Sequence, residues 1–128
     1  MRMNLLAISV VAALSAGPAR AEYPWRVVGQ RNFNVESDGR QLIGIETGRR
    51  FLSMRLCVRR QPILIHRVEV RFREGGTRSY QLGTTLQNHR CTGDLVLSGG
   101  ARELAEVAVS FNPAGLSQRG ARLQVHAR

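Results

Sequence analysis

The 128 residues predict an all-β fold: a small antiparallel β-sandwich or partly open barrel of about seven or eight strands with one disulfide. Three observations carry this. From Trp25 onward apolar residues recur at every second position, the period of a half-buried strand. Glycine and proline interrupt these segments at short intervals. The two cysteines, Cys57 and Cys91, lie downstream of a segment patterned for export, where an even pair reads as a disulfide.

The export pattern comes first in the chain. Arg2 gives a short positive region, Leu5 to Leu14 is an uncharged apolar run, and Ala19 and Ala21 suit an A-x-A cleavage site. The run is too short to span a bilayer, so a signal peptide is expected over 1–21 rather than a membrane anchor or a buried helix. Cleavage after Ala21 then leaves one domain over 22–128, periplasmic or secreted, with no transmembrane segment. No cysteine follows the cleavage site, which argues against a lipid anchor.

Short strands are predicted at Trp25–Gly29 and Leu42–Ile45, either side of the turn-rich "VESDGR". In the next strand Leu52, Met54, Leu56 and Val58 point inward, and Ser53, Arg55, Cys57 and Arg59 outward. Pro62 ends it, since proline has no ladder donor. Ile63–Arg73 follows, with Leu64, His66, Val68, Val70 and Phe72 inward and Arg67, Glu69, Arg71 and Arg73 outward. Gly75–Gly76 supplies a hairpin turn that returns the chain through Arg78–Leu82. "GTTLQNHRCTG" reads as a polar connection, "DLVLS" as a strand stopped by Gly99–Gly100, and "LSGG" as a hairpin turn. "RELAEVAVSF" fits a helix face and a strand alike; its β-branched residues and flanking Gly-Gly and Asn-Pro favour a strand bulged around Ala105–Glu106. The closing strand is Ala121–Ala127, with Arg122, Gln124 and His126 outward.

Composition bounds the function loosely. All 19 basic residues are arginine and the formal net charge is +10. A leaderless chain would keep 17 arginines against nine acids, a formal +8. Such charge favours any polyanion but says nothing of fold, and the absence of lysine is equally a mark of genome composition.

No constellation for catalysis is evident. The histidines His66, His89 and His126 show no metal-ligand spacing, and His66, in phase with Val68 and Val70, is expected in the core. There is no nucleophile elbow, no glycine-rich loop opening a helix, and no distinguished pair of carboxylates. Neither enzyme activity nor a cofactor nor a metal is expected. The feature that stands out is basic. If the strands around Cys57 and Val68 are hairpin neighbours across "RQPI", then Arg55, Arg59, Arg67, Arg71 and Arg73 share one sheet face, relieved only by Glu69. Arg122 and His126 offer a further basic pair. Like charges placed opposite one another destabilise a sheet, so such a strip is either a solvated outer face or an anion-binding site. Few aromatics accompany it, which argues against base-stacking modes of nucleic-acid recognition.

"WRVVG", "FLSMRLCV" followed by "IHRVEVRF", and "LVLSGGARELAEVAVSF" before a closing strand together resemble a family of small bacterial periplasmic or secreted β-proteins of unknown function. The resemblance implies the fold and compartment and no activity. The expected function is a non-catalytic cell-envelope interaction module with an unknown envelope protein as partner. The alternative is a module binding an anionic polymer: lipopolysaccharide, polysaccharide or nucleic acid.

Overall fold

The computed structural model describes residues 24–128; the expected signal peptide and its cleavage site lie outside the described residues. Nine strands form: β1 Arg26–Phe33, β2 Arg40–Gly44, β3 Arg50–Phe51, β4 Ser53–Arg59, β5 Ile63–Phe72, β6 Thr77–Leu86, β7 Leu95–Val96, β8 Arg102–Phe111 and β9 Ala121–Ala127. All pair antiparallel, in two open sheets. One sheet runs β1-β9-β4-β7. The other runs β2-β8-β5-β6, with β3 also on β8. The open sheets make this a sandwich rather than a barrel.

Alternation builds the core between the layers. Met54, Leu56 and Val58 of β4 and Leu123 and Val125 of β9 are buried in the same apolar cluster as Val68, Val70, Val107 and Val109 of the other sheet. Phe33 and Phe111 stack across the layers with ring centroids 4.6 Å apart. Each fully buried aliphatic side chain of this kind contributes about 1.5–3 kcal/mol.

The Gly75–Gly76 turn forms as expected, with both residues at positive φ and Phe72 exchanging backbone hydrogen bonds with Gly75 and Gly76. The bulge in β8 also forms: Arg71 pairs with Glu106 but Phe72 with Leu104, leaving Ala105 over. β6 runs longer than expected and takes in all of the "GTTL" read as connection.

Four expectations are corrected. His66 is exposed, because a bulge at His66 flips the phase of β5: Ile63 and Ile65 point inward before it, Val68, Val70 and Phe72 after it. Leu52 is 51% exposed, because it is the corner at which the chain leaves β3 in one sheet and enters β4 in the other. β4 and β5 are not a hairpin. Arg60, at φ 86°, and Pro62 carry the chain between layers, so the two strands belong to different sheets. Gly99–Gly100 likewise crosses between layers, since β7 pairs with β4 while β8 pairs with β5 and β2.

Candidate anion-binding face

The crossing after β4 divides the arginines between two surfaces. Arg67 and Arg71 stand on the outer face of the five-stranded sheet and Arg73 just beyond the end of β5, and each has a carboxylate partner. Glu69 lies 3.3 Å from Arg40 and 3.9 Å from Arg67, Arg71 pairs with Glu106, and Arg73 Nε lies 3.0 Å from Glu103. This is a ladder of alternating charge, and it accounts for three of the five arginines expected in the basic strip. The five arginines therefore do not share one face.

The other two, Arg55 and Arg59, lie on the four-stranded sheet. There β9 lies beside β4, so Arg59 is directly opposite Arg122, Cys57 opposite Gln124, and Arg55 opposite His126. Arg60, which follows β4, joins them. Its left-handed backbone, with the amide donating to Asn88 Oδ1 at 2.7 Å, sends the guanidinium to Asn32 Oδ1 at 2.8 Å. Arg122 Nε donates to the same oxygen at 3.3 Å. Among the described residues none of Arg55, Arg59, Arg60 and Arg122 forms a salt bridge. Their partners are neutral amides, a carbonyl, an imidazole and a ring.

Arg55 lies against Trp25 and His126. Its guanidinium lies 4.3 Å over the Trp25 ring, which also carries Arg128 at 4.3 Å. Its Nε is buried without a hydrogen-bond partner. Its Nη2 is 3.5 Å from His126 Nδ1. Arginine has no acceptor, so Nδ1 accepts and the imidazole proton sits on Nε2, 3.2 Å from Gln124 Oε1. Gln124 passes the chain on to Gln30 at 3.2 Å. Burial first, then the charges of Arg55 and Arg59, hold the His126 pKa below its ordinary 6.5. The imidazole is therefore neutral at pH 7 and adds no charge to the face.

Cys57 and Cys91 form the expected disulfide, beside His126, whose Nδ1 is 3.6 Å from Cys57 Sγ. The bridge ties the 91 region, through an isolated β-bridge, to the middle of β4. Among the described residues no group of three His, Cys, Asp or Glu is placed to hold a metal ion.

Of the predicted site residues, Arg55, Arg59, Arg122 and His126 come together, whereas Arg67, Arg71 and Arg73 stand apart on the second sheet. Sequence reasoning misses Arg60, which falls in the strand break before Pro62, and Trp25, which reads only as the start of a strand. A left-handed residue is rarely legible outside glycine, and a cation–π pair between residues 25 and 55 leaves no local spacing to detect. Searches of curated proteins and of solved structures found no match. The profile of a protein family described as Domain of unknown function (DUF2541) covers residues 4–127, so the chain belongs to that family.

Proposed function

We propose that this protein is a non-catalytic binding module of the cell envelope or its exterior, and that it engages an anionic polymer through the outer face of β4 and β9. One observation carries the reading: Arg59 and Arg122 stand directly opposite each other, with Arg60 alongside, and no carboxylate among the described residues forms a salt bridge with them. On the second sheet the same chain places acids beside its arginines. Opposed like charges cost stability in a sheet, and guanidiniums match sulfate, phosphate and carboxylate geometry. An arriving polyanion relieves the cost. The disulfide suits an oxidising compartment, and no helix among the described residues is long and apolar enough to cross a membrane.

The test is binding to heparin, to lipopolysaccharide and to a mixed-sequence oligonucleotide, each at two salt concentrations. A face neutralising about four anionic groups loses about two orders of magnitude of affinity between 50 and 200 mM salt. Arg59→Gln with Arg122→Gln is expected to weaken binding and flatten the salt slope, while Arg67→Gln with Arg71→Gln leaves binding to the face in place. No binding at low salt, or equal losses from both double variants, overturns the assignment and turns attention to a protein partner.

A further inference from the structure

A groove of about 580 Å³ opens at the corner where β3 gives way to β4. It is separate from the strip formed by Arg59, Arg60 and Arg122. Arg26, Arg49, Arg50 and Arg128 line it together with Phe51, which is buried, and Leu52, which is 51% exposed. None of the described residues lining it is acidic. The walls are held by backbone. Leu52 N and Ser53 N donate to Arg128 O at 2.9 and 3.1 Å, Arg128 N donates to Ser53 O at 3.0 Å, and Leu97 N donates to Leu52 O at 2.9 Å. Arg50 Nη1 reaches Ala101 O at 3.4 Å, and Arg128 pairs with Asp94 at 3.0 Å and lies over Trp25. Arg26 and Arg49 have no side-chain partner among the described residues.

Two halves of a recognition problem meet here. Leu52 is half exposed on a chain corner, where burial would recover apolar surface. Beside it, guanidiniums outnumber carboxylates, and the volume is that of a small-molecule site. A bare polyanion would leave the Leu52 surface wet, and an apolar ligand would leave the arginines unanswered. We infer that this groove binds an amphiphilic anion: a single carboxylate or phosphate head on an apolar chain, with the head among Arg26, Arg49 and Arg50 and the chain on Leu52.

Trp25 is the protein's one tryptophan and touches Arg128 at the groove, so its fluorescence reports occupancy. Purified oxidised protein is titrated, below micelle formation, with laurate, dodecyl phosphate, dodecanol and inorganic phosphate. The expected result is saturable one-to-one binding of laurate, dodecyl phosphate or both, at least tenfold tighter than dodecanol or inorganic phosphate. Comparing the first two identifies the preferred head. Arg49→Gln with Arg50→Gln should cost about tenfold or more in affinity, the scale of one lost charge-assisted hydrogen bond. Leu52→Ser should weaken the dodecyl ligands and leave inorganic phosphate unchanged. The Arg59→Gln and Arg122→Gln pair should leave amphiphile binding intact, which separates this site from the polyanion face. No saturable binding, dodecanol equal to both anions, or indifference to the Arg49 and Arg50 changes overturns the inference.

Discussion

Two single residues carry consequences that no other residue type would reproduce. Gly120 precedes β9 at φ 72°, and a Cβ built there would lie 1.9 Å from the carbonyl oxygen of Phe33. Alanine must therefore displace backbone as well as adopt a left-handed conformation. Gly120→Ala is expected to cost about 2 kcal/mol or more, measured as the shift in urea midpoint at constant slope. His126 acts through its proton. Its folded pKa lies below the ordinary 6.5, so between those two values the unfolded chain binds more protons than the native one. Stability is fully present above about pH 6.5 and falls as pH drops through the folded pKa, where the new charge meets Arg55 and Arg59. Urea unfolding from pH 7 to pH 5 should show that fall, and His126→Gln should remove its share. Histidine phase was legible at 126, where β9 alternates cleanly, and not at His66. Residues 63, 64 and 65 are all apolar, so either phase fits the sequence and only the bulge decides between them.

At the scale of the element, β4 is where the molecule is stapled. Its flanking partner β7 contributes only two residues, so the Cys57–Cys91 bond does for that edge what a longer ladder would otherwise do. The bond spans a sequence separation of 34 residues, and a crosslink of that span is worth about 3–4 kcal/mol. Reduction with dithiothreitol should lower the melting temperature by about ten degrees; an unchanged melting curve would mean that the edge is held without the bond. This pair was readable from cysteine count and compartment alone. The pairing of β4 with β9 was not. Alternation tells which side of a strand is dry, and says nothing of which layer the strand joins. Short crossings such as Arg60 to Pro62 therefore look like hairpin turns until their hydrogen bonds are traced.

The whole molecule divides its charge by layer, and that division follows from topology. Had β4 and β5 been neighbours, Glu69 would have had to serve the arginines of both. With the two strands on opposite outer faces, Arg67, Arg71 and Arg73 are matched by acids from β5 and β8, while β4 and β9 present arginine to arginine. The outward positions of Arg55, Arg59 and Arg122 were legible in the sequence. Their shared surface, and the loss of Arg67, Arg71 and Arg73 from it, arise from strand order. That order has a second outcome, in time rather than space. β1 and β4 both hydrogen-bond to β9, which the ribosome delivers only after four further strands have followed β4. Until then neither can complete its ladder, and the cost of closing so long a loop discourages early structure. The four-stranded sheet would thus stay open for nearly the whole of synthesis, whereas β5 and β6 need only their own turn to pair. The sandwich therefore closes last, on the arrival of the strand that stands opposite Cys57.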